Sequence, residues 1–253
     1  MKIDKIKKTS KGKYKVVLNN NTSLTTYDDV ILNNGLLYNK VLDDDLLMKI
    51  SIETEYYDIY DKTIKFISRK LRSEYEIDEF LNKHDVPLDS KNKIKEKLKS
   101  IGLINDDNFT KAYIYDRFNL SSDGPNKIKK DLINYKIDLN IIENNLFILK
   151  EEDIKEKIEK IVSKKIRLDH KHSLSFIKQK IKSDLNNLGY DSDMIESSLQ
   201  NITLSNNNIN KEYETIYNKL VKKYEGKDLE FHIRQKLYQK GYKIEEINEQ
   251  IKS

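Results

Sequence analysis

The chain has four histidines, His84, His170, His172 and His232, and no cysteine. Of these, only His170-x-His172 approaches a ligand spacing. On a loop such a pair could hold a metal weakly, but a solvated histidine pair is the preferred reading, and no thiolate zinc site can exist. Asn105-Asp106-Asp107 brings carboxylates together, as metal ligands or an acid/base pair would require. They precede Phe109, Ala112 and Tyr113 at helical spacing, however, so an aspartate there is expected to cap a helix. The seven glycines form no phosphate-cradling loop: Gly124 stands alone and neither nucleotide-binding fingerprint is present. No nucleophile with an adjacent base can be assembled. The expectation is a protein that is not an enzyme, with no catalytic residue, no metal site and no cofactor.

What remains is charge. The formal net charge is +5, unevenly placed. Residues 2–15 carry seven lysines against Asp4, whereas residues 28–58 carry eight carboxylates against Lys40 and Lys49. Further on, residues 154–182 hold ten Lys/Arg against Glu156, Glu159 and Asp169, and residues 62–73 hold five with no acid. Such clusters are candidate phosphate-facing surfaces, although solvated helix faces are normally charged too. The contact candidates are Lys70 and Arg72; Lys127, Lys129 and Lys130 after a Gly-Pro turn; and Lys164, Lys165, Arg167, Lys178 and Lys182 in the most basic stretch.

The elements that must carry these residues are legible in a period of about 52. Ile77/Leu81, Ile128/Leu132, Ile181/Leu185 and Ile233/Leu237 recur with their leucines 51, 53 and 52 residues apart. A residue five positions after each leucine is again apolar: Val86, Ile137, Tyr190 and Tyr242. A second pair follows at Ile94/Leu98, Ile142/Leu146, Ile195/Leu199 and Ile247/Ile251. Apolar residues four apart share one helix face, so each copy reads as helix, tight turn, helix. A third pattern lies upstream, at Ile64, Ile67 and Leu71, at Tyr113, Ile114 and Phe118, and at Ile216, Leu220 and Val221. Gly189 and Gly241 suit left-handed helix ends, where Asp85 and Lys136 stand in the first two copies. Ser73-Glu74-Tyr75-Glu76 has the form of a capping box, and Gly124-Pro125 opens the matching helix in the second copy.

The expected fold is therefore mainly α, a solenoid-like tandem array of four three-helix, helix-turn-helix-like repeats behind a small antiparallel β segment. The boundaries are 1–55 for the β-containing segment with short helices, then 56–104, 105–150, 151–203 and 204–253. In the first segment Ile3–Ile6, Lys13–Leu18 and Leu24–Thr26 predict strands, with Asn19-Asn20-Asn21 as a turn. Tyr27–Leu32 predicts a short helix stopped near Gly35, and Asp43-Asp44-Asp45 starts a longer one toward Tyr60. The start, Met1-Lys2-Ile3-Asp4, lacks the apolar core of a signal peptide, and no stretch is apolar enough to span a membrane. Both predict a cytoplasmic protein without membrane contact.

Four segments, in order, resemble the RecX family of regulators of the RecA recombinase, in its longer form with an N-terminal β-containing segment. They are Phe66-Ile67-Ser68-Arg69-Lys70-Leu71-Arg72-Ser73 followed by Glu76 and Leu81; Gly102-Leu103-Ile104-Asn105-Asp106 with Phe109; Gly124-Pro125 with Ile128, Asp131 and Leu132; and Gln239-Lys240-Gly241-Tyr242. The departures are Lys70 for an arginine, Asn105 for an aspartate, Thr110 for an alanine and Lys136 for a helix-ending glycine. The resemblance implies a monomeric, non-enzymatic modulator. It would bind the RecA filament on single-stranded DNA along its groove, suppress filament growth, ATP hydrolysis, strand exchange and co-protease action, and so modulate recombinational repair and the SOS response. The alternative is a nucleic-acid-binding protein acting alone, because basic three-helix units are similar to helix-turn-helix domains.

Overall fold

The computed structural model describes the chain except Lys11, Asn39, His170, Asn201, residues 203–206 and Ser253, with backbone alone at 207 and 208. The expected boundary at 203/204 and one member of the histidine pair thus lie outside the described residues. Three strands, β1 (Ile3–Lys8), β2 (Tyr14–Leu18) and β3 (Ser23–Thr26), form one antiparallel sheet in sequence order. Alternation fixes its faces: Ile3, Val16 and Leu18 point inward and are buried with Val30, Leu36, Leu42 and Ile50.

Thirteen helices follow among the described residues: α1 (Asp28–Asn33), α2 (Asp44–Ile67), α3 (Glu74–Asn82), α4 (Leu88–Ser100), α5 (Asp106–Leu120), α6 (Pro125–Asn134) and α7 (Leu139–Leu146); then α8 (Glu151–Leu168), α9 (Leu174–Asn187), α10 (Ser192–Gln200), α11 (Asn207–Leu220), α12 (Gly226–Gln239) and α13 (Ile244–Lys252). The chain is mainly helical with an N-terminal antiparallel sheet, as the sequence predicts. Its two compact units are residues 1–109 and 110–253.

All eight residues of the periodic Ile/Leu pairs are at most 2% exposed. The Ser73 capping box forms: Ser73 Oγ accepts from Glu76 N and the Glu76 carboxylate accepts from Ser73 N, each at 3.2 Å. Pro125 occupies the first turn of α6, where its missing N–H leaves nothing unsatisfied.

Three sequence expectations are corrected. The helix begun by Asp43 does not stop near Tyr60 but runs 24 residues to Ile67, so the boundary drawn between 55 and 56 falls inside α2. Leu71 and Val221 lie past the ends of their helices and are 50% and 39% exposed. The cap of α5 is Asn105, whose Oδ1 accepts from Asn108 N at 2.9 Å. Asp106 instead accepts the Glu74 N–H at 2.8 Å, serving the first turn of α3.

Within residues 110–253 one packing device occurs twice. Gly124, the N-cap of α6, donates its N–H to Leu188 O at 2.7 Å, and Asn126 N donates to Gly189 O at 3.0 Å. Likewise Ser173, the N-cap of α9, donates its N–H to Lys240 O at 3.0 Å and its hydroxyl to Gly241 O at 2.5 Å. The starts of α6 and α9 are thus satisfied by the turns that end α9 and α12, in place of water. At these seams a Cβ on Gly189 would lie 2.6 Å from Lys127 Cβ and against the Lys127 backbone nitrogen, and one on Gly241 would lie 2.6 Å from Phe176 Cβ. Only glycine fits.

Candidate binding surface

The ten candidate cations separate by what their charges already do. Lys70 and Arg72 converge on Glu76 Oε1, at 3.0 and 2.8 Å. Burial of Glu76 works against its ionisation, but the hydrogen bonds from Arg72 and Lys70 outweigh it and hold the carboxyl below its usual range. The Arg72 side chain is only 15% exposed, and its guanidinium lies 3.9 Å from the centre of the Phe66 ring, itself stacked on Phe80. Arg72 therefore ties the end of α2 to the start of α3.

Lys129 and Lys182 belong to a recurring cross-helix clamp. Lys129 pairs with Glu143 at 3.0 Å, Lys182 pairs with Glu196, and Arg234 donates to Asn248. In each case a base on one helix reaches the residue fourteen positions on, in the next helix. The α3–α4 pair holds the same clamp with polarity reversed, Asp78 to Lys95 at 3.1 Å, three residues later because of the longer turn at Pro87. Lys127 holds Asp123 at 2.6 Å, next to Arg117, which also meets Tyr113 and Asp131. Lys165 pairs with Asp184.

Lys130, Lys164, Arg167 and Lys178 form no ion pair among the described residues. Lys164 and Arg167, three apart at the C-terminal end of α8, stand away from the buried stripe Ile154, Ile158 and Val162. Near them a cavity of about 410 Å³ is lined by Lys165, Lys171, His172 and Lys180 over Ile177 and Ile181. His172 Nδ1 is 2.9 Å from the Asp169 carboxylate and its ring stacks on Phe176. That assigns His172 to the entry of α9. Among the described residues no three ligating side chains converge to hold a metal, and no helix is long and apolar enough to cross a membrane.

Two surface features escaped the residue-level reading. Phe231, Tyr238 and Ile244 are 62%, 64% and 60% exposed around a cavity of about 420 Å³ on α12 and α13. Matched positions in the preceding copy are Gln179, Asn186 and Ser192, so comparing copies position by position would have exposed the apolar group. The second feature is the row Lys5, Lys7 and Lys15 on the sheet, whose period of two is the available signal.

A small antiparallel sheet followed by helices, with six of the ten candidate cations held in ion pairs and four forming none among the described residues, defines a mainly helical scaffold. No protein-family model matches the chain. It is 30% identical over 253 residues to the regulatory protein RecX of Streptococcus agalactiae serotype III, covering 98% of this chain and 97% of that one. It is also 30% identical over 215 residues to the regulatory protein RecX of Oceanobacillus iheyensis, covering 82% and 79%. A crystal structure of a regulatory protein RecX superposes with a TM-score of 0.69 at 23% identity, over 79% of this chain and 99% of that one. RecX from Lactobacillus salivarius does so at 0.54 with 30% identity, over 57% and 94%. The chain belongs to the RecX family of regulatory proteins.

Proposed function

We propose that this protein is a cytoplasmic, monomeric regulator that binds the RecA filament on single-stranded DNA along its groove. There it inhibits filament extension, ATP hydrolysis, strand exchange and co-protease activity, and so modulates recombinational repair and the SOS response. The observation that carries this is similarity to regulatory protein RecX over 98% of the chain, front segment included. In this reading the helices divide into four repeats, the first built from the C-terminal part of α2 with α3 and α4 and the others at 105–150, 151–203 and 204–253, supported by the clamp that recurs in α3–α4, α6–α7, α9–α10 and α12–α13. The regulator is a binder, not an enzyme. Repeated modules suit a repeated partner, because weak contacts to successive subunits add through effective concentration.

Lys130, Lys164, Arg167 and Lys178 are the candidates whose charge is left for a partner. Co-sedimentation with RecA filaments assembled on oligo-dT tests this. The Lys164→Glu/Arg167→Glu variant should lower capture by about tenfold, equivalent to 1.4 kcal/mol, whereas Lys129→Ala should lower stability and leave capture by the folded protein unchanged. Failure of the wild-type protein to sediment with filaments would contradict the proposal, and equal binding to naked DNA would favour a nucleic-acid binder acting alone.

A further inference from the structure

The sheet treats its lysines differently from the helices. Pairing across the strands sets Lys7 opposite Lys15, Lys5 opposite Val17, Lys15 opposite Thr25 and Val17 opposite Ser23. These six residues share the outward face, because their neighbours Ile6, Val16 and Leu24 form the inward row. No carboxylate is among the six; Asp4 sits in the irregularity between Ile3 and Lys5. Lys5, Lys7 and Lys15 are exposed and form no ion pair among the described residues, while nearby Lys13 is held by Asp58. Like charges placed directly opposite destabilise a sheet. Lysines on edge strands can serve to block edge-to-edge pairing, but Lys15 is on β2, the central strand, where there is no edge to protect.

We propose that this face binds the sugar-phosphate backbone of single-stranded nucleic acid. Lys5 and Lys7 are two residues apart on one strand, about 7 Å, comparable to successive phosphates on one nucleic-acid strand. Lys15 adds a third cation from the adjacent strand, about 5 Å away. The exposed hydroxyls of Ser23 and Thr25 are further donors to phosphate oxygens. Among the described residues, this pleated face has no element projecting from it to enter a duplex groove, and none of its six side chains is an aromatic ring on which a base could stack. It therefore follows one backbone without reading sequence. The inference rests on the filament reading only in that the filament supplies the strand.

The test uses the full chain without RecA, following anisotropy of dye-labelled oligo-dT between 50 and 200 mM salt. Three phosphate contacts on a single strand contribute about 2 to the slope of log affinity against log salt. The Lys5→Gln/Lys7→Gln/Lys15→Gln variant should lose that part of the slope, and thus about 20-fold of the wild-type weakening over this fourfold salt range. Lys65→Gln/Lys155→Gln/Lys160→Gln removes the same formal charge from lysines each paired with a carboxylate one turn away, and should leave the slope unchanged. No binding by the wild-type protein, an unchanged slope in the sheet variant, an equal loss in the control, or preference for phosphatidylserine vesicles over oligo-dT would overturn the proposal. Filament capture is a separate readout: its absence alongside the predicted slope change would sink the filament reading and leave this one standing.

Discussion

Four turns join matched helices in this chain, and they solve the same backbone problem in two ways. Asp85 and Lys136 adopt positive φ, +52° and +58°, with exposed side chains. Gly189 and Gly241 adopt +83° and +84°, with a neighbouring helix start packed where a Cβ would be. A left-handed residue other than glycine is strained but possible when its side chain faces water. It is impossible when the turn is also a packing surface. The residue that follows changes too, from Val86 and Ile137 to Tyr190 and Tyr242, and Tyr190 Oη donates to Ser122 O at 3.2 Å across the seam.

The sharpest way to break this contrast is Gly189→Ala. It adds both left-handed strain and overpacking against Lys127, and should destabilise residues 110–253 by about 2–5 kcal/mol in urea unfolding. A loss below 1 kcal/mol, comparable to that of an ordinary exposed substitution, would mean that the seam is not tightly packed.

A smaller effect should appear at alkaline pH. The Tyr190 phenol is pushed up to about 12, first by burial and then by the Asp123 carboxylate, against 10.0 for an unperturbed tyrosine. The folded form thus favours the neutral phenol. Its contribution is intact below pH 10 and is lost as pH rises toward 12. Tyr190→Phe should flatten that alkaline limb of stability, at the expense of about 1 kcal/mol at neutral pH for the lost hydrogen bond. An unaltered limb would contradict the assignment.

The smallest effect has the opposite sign. Lys136→Gly should relieve left-handed strain at an exposed position, stabilising by about 0.5–1 kcal/mol in the same urea titration. Asp85→Gly should gain less, since aspartate tolerates this region better. A loss at position 136 would show that the lysine side chain makes a contact worth more than the strain.

Much of this scaffold was legible in the sequence because burial is periodic: the pairs from Ile77/Leu81 to Ile233/Leu237 mark the core, and Ser73, Gly124 and Pro125 mark helix starts by local chemistry. The continuity of α2, which joins the start at Asp43 to the pattern at Ile64 and Ile67, was legible only as the lack of a breaker between Asp44 and Ile67. Charge was the least legible property. Lys129 and Lys182 read as free cations until the third helix brings Glu143 and Glu196 beside them, although the recurrence of a base at 129, 182 and 234 was a signal for a structural role. For Gly189 and Gly241 the left-handed turn could be read locally. The seam could not, because it depends on residues 62 to 68 positions away.

The most direct test of the regulatory account is RecA-catalysed, single-strand-dependent ATP hydrolysis with this protein titrated in, beside a Lys164→Glu/Lys165→Glu/Arg167→Glu variant. The account predicts inhibition at well below one protein per RecA monomer, relieved in the variant. Undiminished hydrolysis at stoichiometric protein would contradict it.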